Sequence, residues 1–268
     1  MIPIDKIKSL LSSDVTSLFS DAILNDAYIS AYKTINALMS DEACLDSLFN
    51  SGLSADKYQT NHSTWTDNAD VVYSKSKFNE GRRLLSVERR NDVGSYVDNI
   101  FYQCKRIPSQ RGESGIINQA ASIYYENDLF SPKYYINASG GIRIVPTNEV
   151  LSVTQFPKGR VFWLSYPTFK QTIDSFSFSY TFDLAGKNFS EITVEETLFY
   201  GIPSEAKSLV YIEMAMNMLH LYMADFVHDE EDVELVSLLK EQVTSLLSKK
   251  NEELNYVLPK YGNQKERK

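Results

Sequence analysis

Cysteine and histidine are scarce, with two cysteines, Cys44 and Cys104, and three histidines, His62, His220 and His228, in 268 residues. Two cysteines so far apart exclude a disulfide framework and a cysteine-built zinc site; they are expected to be reduced, buried thiols. No metal-binding spacing such as H-E-x-x-H links the histidines. His220, among apolar neighbours, is expected to be a packing or interface residue, and His228, beside four acids, to belong to a solvated helix start. The chain also lacks a G-x-x-x-x-G-K-[ST] phosphate loop and a G-x-S-x-G elbow, and Gly112-Glu113-Ser114-Gly115 lacks the glycine spacing of a nucleotide site. Neither cysteine has a histidine nearby in sequence, as a nucleophile would want. The expectation is a non-enzyme with no catalytic residue, no metal and no cofactor. Paired carboxylates of a hydrolase stay open, because their separation is set in three dimensions.

Positive charge is also in short supply. With 27 Lys and Arg against 35 Asp and Glu the net charge is −8, and no long basic stretch precedes the last few residues. General affinity for the DNA backbone is therefore not the expected main task. No uninterrupted apolar run is long enough to span a bilayer, and Met1 to Lys6 has no signal-peptide pattern, so the expected location is cytosol or a particle assembled there, with no membrane partner. At 43% hydrophobic and 23% charged residues, the chain has the makings of an ordinary buried core.

Apolar residues recur at helical spacing in the first fifty positions. Ile4, Ile7, Leu11, Val15 and Leu18 form one series. Leu24, Ala27, Ala31, Ile35 and Leu38 form a second, with Asp21 as its expected N-cap, and a short third piece carries Cys44, Leu45, Leu48 and Phe49 up to Asn50-Ser51-Gly52. From about 53 to 200 that stripe gives way to short β-branched and aromatic runs between turn residues. Expected strands are 69–74, 83–89, 97–106, 134–137, 142–145, 161–166 and 176–182, with Gly140 and Gly141 turning a hairpin between 134 and 145. Helix resumes after Pro203: Leu209, Ile212, Met216, Leu219, Met223 and Phe226 follow in steps of 3, 4, 3, 4 and 3, the seam of a packed helix pair. After an acidic turn at 228–232, Val236, Leu239, Val243 and Leu246 stripe a last helix, and Pro259 opens a mobile tail.

The expected fold class is thus α+β. N-terminal helices (1–52) and a C-terminal helical hairpin (201–258) form one bundle, a large β-rich insertion (53–200) projects from it, and 259–268 trails as a tail. Leu209, Ile212, Met216, Leu219, Met223, Leu239, Val243 and Leu246 are the expected bundle core. Arg82-Arg83, Arg89-Arg90 and Lys105-Arg106 are either a positive patch or an ordinary charged strand face. In the first case Arg89, Arg90, Lys105 and Arg106 would meet the acids Asp229, Glu230 and Glu231 of a neighbouring copy. Seventeen tyrosines and fourteen phenylalanines serve subunit contacts or core. Loops around Trp65 and Trp163 leave a carbohydrate-binding or hydrolytic module as an alternative.

The ending, Ile202-Pro203-Ser204-Glu205-Ala206-Lys207 into Leu209–Phe226, the acidic turn, then Val233 to Tyr256, resembles the C-terminal half of head-to-tail adaptor proteins of tailed bacteriophages, of the podophage tail tubular protein A or gatekeeper type. The middle is similar to virion structural proteins of T4-like marine phages, in Cys104-Lys105-Arg106-Ile107-Pro108, Ala121-Ser122-Ile123-Tyr124-Tyr125, Ser131-Pro132-Lys133-Tyr134-Tyr135-Ile136 and Gly140 to Pro146. The resemblance implies a structural virion protein, assembled in the host cytoplasm as a homo-oligomeric ring, often of twelve copies, in the phage neck. Its partners would be the portal protein on one face and the next tail or nozzle protein on the other, with DNA passing through the channel. Pro259, Lys260 and Tyr261 would belong to a portal-contacting tail. A tail terminator or collar protein is the neighbouring alternative.

Overall fold

A computed structural model describes residues 3–11, 19–50, 82–93, 96–109, 132–138, 141–145, 159–167, 187–193, 198–229 and 233–263. The chain is mixed α+β, and its described residues fall into two compact units, one within 1–53, 166–175 and 180–268, the other within 54–165 and 176–179.

The first unit is helical. It contains α1 (Pro3–Leu10), α2 (Asp21–Leu38), α3 (Asp41–Asn50), α4 (Lys207–Asp229) and α5 (Val233–Tyr261). α4 packs against α2, α5 and α1. Because it has neighbours on several sides it is buried nearly all round from Leu209 to Leu219, with only Glu213 and Asn217 half-buried. Each fully buried Leu, Ile or Met there is worth roughly 1.5–3 kcal/mol relative to exposure. The cap of α2 is Ser20, whose hydroxyl accepts from the Ile23 N–H at 3.5 Å, one residue before the expected Asp21. A carboxylate at Asp21 still lies in the first turn, where the helix dipole favours it. Ser40 caps α3 in the same way, accepting from Ala43 N at 3.1 Å. The side-chain amide of Gln242 on α5 donates to the Leu10 carbonyl at the end of α1, 2.9 Å away.

Two further departures from the sequence reading have simple causes. α4 runs through His228 to Asp229, past the expected turn at 228, since nothing at those positions breaks a helix. Before it, Pro203 precedes a 3-10 turn, Ser204–Ala206, and the α-helix proper starts at Lys207. Val15, Leu18, His62, Trp65 and the expected strands 69–74 and 176–182 lie outside the described residues.

Among its described residues the second unit holds two three-stranded sheets. In one, β1 (Arg82–Val93) is central, antiparallel to both β2 (Tyr96–Gln103) and β6 (Gly159–Ser165). In the other, β3 (Lys105–Arg106) runs parallel to β4 (Lys133–Ile136), which pairs antiparallel with β5 (Ile142–Val145). The expected strand 97–106 is divided at Cys104: its N–H still bonds to the Val87 carbonyl of β1 at 2.8 Å, and the next N–H, of Lys105, turns to the Pro132 carbonyl at 2.9 Å, beside β4. A bulge in β1 sets two residues against one in β6 between Leu84 and Ser86, so alternation fails and Leu85, Ser86 and Val87 are all buried. The hairpin at 134–145 is closed by Asn137: its backbone N–H donates to the Gly141 carbonyl at 2.9 Å and its side-chain oxygen accepts from Gly141 N at 2.7 Å. Gly140 lies outside the described residues.

Candidate assembly surfaces

The residues expected to hold the helices together sit on α4 and α5. Leu209, Ile212 and Leu219 are essentially inaccessible, Met216, Leu239 and Leu246 are buried, and Met223 and Val243 are half-buried. The grading follows the packing, because α4 loses its cover beyond Leu219 and leaves Leu221 48% exposed. His220 is exposed, so of its two expected roles, packing or interface, it does not fill the packing one within this chain. Between the two helices the Lys250 ammonium meets the Glu213 carboxylate at 2.6 Å with both side chains mostly covered.

The sequence reading missed the second stripe of α2. Beside Leu24, Ala27, Ala31 and Ile35, the positions Asp21, Asn25, Tyr28, Tyr32 and Asn36 recur every three or four residues and reach the segment from Lys187 to Ile202. Asp21 accepts from the Ser190 hydroxyl at 2.6 Å. The Asn25 side chain accepts from Phe189 N at 2.8 Å and donates to the Asn188 side chain at 3.1 Å. The Tyr28 hydroxyl donates to the Leu198 carbonyl, the Tyr32 hydroxyl to the Tyr200 carbonyl at 2.6 Å, and the Asn36 amide to the Gly201 carbonyl at 3.4 Å. Burial, more than the neighbouring Tyr211, holds the Tyr28 phenol well above the ordinary tyrosine pKa, so it stays a donor. Gly201 has φ 68°, a value that side-chain-bearing residues avoid. This anchoring puts 187–193 and 198–200 with the helices, not in the β-rich part to which the sequence reading assigned them.

The C-terminal end also differs from expectation. Pro259, Lys260 and Tyr261 are the last residues of α5, not the start of a mobile tail. Pro259 removes one N–H, and it falls in the last turn, so the rest of the ladder is left intact. The Tyr261 carbonyl accepts from Ser40 N at 2.7 Å, and the Leu38 carbonyl accepts from Asn263 N at 3.1 Å, so the end of α5 is fastened to the α2–α3 corner. Tyr261 donates its hydroxyl to Glu205 at 2.8 Å, and Lys260 donates to the Tyr256 hydroxyl at 2.6 Å. The Glu205 carboxyl is held below the ordinary range first by the Ser204 hydroxyl and then by Tyr261. Tyr261 is raised first by its bond to Glu205, and Lys260 first by its bond to Tyr256. A cleft of about 420 Å³ lies beside this cluster, lined among others by Asp46, Ser47, Pro203 and Tyr261.

Of the charged positions expected at subunit contacts, Arg89 and Arg90 belong to the central strand β1, opposite Tyr102 and Phe101 of β2. Lys105 and Arg106 are exposed on β3 in the other sheet, where Lys105 pairs with Lys133 and Arg106 with Tyr134. The two basic pairs are therefore on different sheets. Asp229 ends α4, and Glu230 and Glu231 lie outside the described residues. Both cysteines are buried, and among the described residues no group of three or more His, Cys, Asp and Glu could hold a metal ion. No described helix is long and apolar enough to cross a membrane.

No family model, curated protein or solved structure matches this chain.

Proposed function

We propose that the chain is a structural virion protein, an adaptor subunit that forms a homo-oligomeric ring in the neck of a tailed bacteriophage. In this reading the ring joins the portal protein to the next tail or nozzle protein and lines the channel through which DNA passes. The helices of the two chain ends are its bundle framework, and the β-rich part is a large insertion that touches neighbours. One observation carries the reading: α1 and α2 from the first forty residues pack on α4, which packs on α5 near the other end. The order of resembling segments along the chain, from Cys104 to Pro146 and from Ile202 to Tyr256, supports it.

Contacts between copies are assigned to Arg89, Arg90, Lys105 and Arg106 on one side and Asp229, Glu230 and Glu231 on the other, with no catalytic step anywhere. Opposite charges of this kind steer association and set register more than they add affinity. Negative-stain imaging and light scattering of the purified protein, alone and with portal, test the proposal. Rings, or a stoichiometric complex with portal, are the expected result. A monomer at every concentration that does not bind portal overturns it, and copies found elsewhere in a particle map would reassign the protein to a tail terminator or collar.

A further inference from the structure

Among the described residues, five large apolar side chains are 37% to 62% exposed, and four of them, Leu221, Leu238, Leu247 and Tyr256, lie on α4 and α5. A single exposed leucine is ordinary, but these four are ordered in space. Leu238 and Tyr256 are eighteen residues apart, about five turns, so they share one side of α5. Leu247, nine residues from each, is about two and a half turns away and lies on the opposite side. The buried row Leu239, Leu246 and Val257 runs between the two sides, so α5 has one core face and two apolar flanks. We propose that this pair of helices packs against the same pair in neighbouring copies, the flank with Leu221 and Leu247 of one copy meeting the flank with Leu238 and Tyr256 of the next.

The first flank is the more apolar. Val236, Val243, Leu247 and Leu258 follow at steps of 7, 4 and 11, a second stripe beside the core row, and all four keep part of their surface in water. Leu221 of α4 belongs to the same flank: Lys250, one turn after Leu247, pairs with Glu213 at 2.6 Å, and Leu221 follows Glu213 by about two turns. The second flank is on the side of α1, where Gln242, one turn after Leu238, reaches the Leu10 carbonyl at 2.9 Å. α1 ends at that residue, and Leu238 is left 62% exposed. α5 packs mainly on α4 and the 3-10 turn Ser204–Ala206, so neither flank is filled by a helix among the described residues.

Charge and symmetry name the occupant. Lys240, seven residues before Leu247, is exposed on the first flank. Glu234, Glu241 and Glu252, each one turn from Leu238 or Tyr256, are exposed on the second, where they outnumber Lys249 and Lys260. Opposite charges beside an apolar contact fix register and orientation more than they add affinity. A copy with two unlike, complementary flanks on opposite sides of one helix can repeat the same contact from neighbour to neighbour, the heterologous geometry that closes into a ring. A two-fold contact would instead set each flank against itself, bringing the carboxylates of the second flank together. The inference rests on the homo-oligomeric part of the proposed function and adds a helical contact to the charged ones assigned there.

Sedimentation velocity of the full chain over a range of concentrations tests this with two double variants, Leu221→Glu with Leu247→Glu, and Leu238→Lys with Tyr256→Lys. All four positions are exposed, so both variants should melt near the native temperature, which checks that they fold. Each variant alone should self-associate about a hundredfold or more weakly than the native chain, as loss of two buried apolar contacts does. Mixed in equal amounts they should form a one-to-one pair, because each keeps the flank that the other has lost. The milder pair Leu221→Ala with Leu247→Ala should weaken association in the same direction. Variants that assemble as the native chain does overturn the inference and leave the homo-oligomeric reading standing. A mixture that stays monomeric, or one double variant that still associates fully, overturns the meeting of unlike flanks. A native chain that is monomeric at every concentration overturns both readings, and loss of portal binding in the variants would then give the flanks to the portal protein.

Discussion

Tyr28 and Tyr32 bury large rings on α2 and spend their hydroxyls on main-chain carbonyls of a segment about 170 residues away in sequence. Removing either hydroxyl leaves a covered carbonyl with one partner fewer, at a cost of about 1–3 kcal/mol. Tyr32→Phe should lower stability in urea titration by that amount with no change in slope. Ser86 makes the opposite case. The bulge in β1 draws it inside, and its hydroxyl has no hydrogen-bond partner among the described residues. Ser86→Ala should therefore be neutral or stabilising by up to about 1 kcal/mol, since it removes an unpaid desolvation cost.

The Glu205 cluster gives a sign that pH can read. Its carboxyl lies below the ordinary value of 4.5, so its contribution is present above that pH and is lost as pH falls through the folded value. Lys260 and Tyr261 are raised from 10.5 and 10.0, so theirs is present below those values and is lost as pH rises through the folded ones. All three groups are solvent-exposed enough for salt to screen the effect. In Glu205→Gln the acid-side fall of the melting temperature should be shallower than in the native chain, measured at low ionic strength between about pH 3 and pH 7.

At the scale of elements, the end of α5 decides more than its sequence suggests. The Gly262 N–H bonds to the Leu258 carbonyl at 2.9 Å, and a Cβ at Gly262 would sit 2.6 Å from that same oxygen. Gly262→Ala should cost about 1–3 kcal/mol, as overpacking does, and loosen the strand-like bridge between Gly262 and Met39. Amide hydrogen exchange at Ser40 and Asn263 would show the loosening directly, as both N–H groups bond across that junction. On the inner face of the same helix, Leu246→Ala should cost about 2–5 kcal/mol through the cavity it leaves, with Leu247→Ala, 43% exposed, as the mild comparison.

For the whole molecule, the corrected position of the C-terminus changes what a truncation means. Deletion from 264 removes only residues beyond the described contacts, whereas deletion from 259 removes the helix end and its bonds to Ser40, Leu38 and Glu205. The shorter chain should melt several degrees lower, and the longer one should melt as the native chain does. A loss of portal binding in the shorter chain alone would therefore report lost structure, and only the deletion from 264 tests a docking tail. The proposed ring assembly through opposite charges should weaken as ionic strength rises, and indifference to salt over a wide range would reject those contacts.

Periodicity and composition determined most of the local elements. The steps of three and four after Pro203 and before Leu38 mark helices because a period of 3.6 must repeat an apolar face, and runs such as 142–145 mark strands by composition and flanking turns. Periodicity also located the buried positions Leu209, Ile212 and Leu246. Bonds between distant segments were left to the tertiary structure: which residues of 187–202 meet the polar tips of α2, that Pro259 to Tyr261 stay helical, and that Gln242 meets the end of α1. Tyrosine and asparagine read equally well as exposed or as satisfied inside, and polar residues hundreds of positions apart carry no mark of adjacency. A local pattern fixes which face of a helix is apolar, but only the packed chain supplies a partner for each donor.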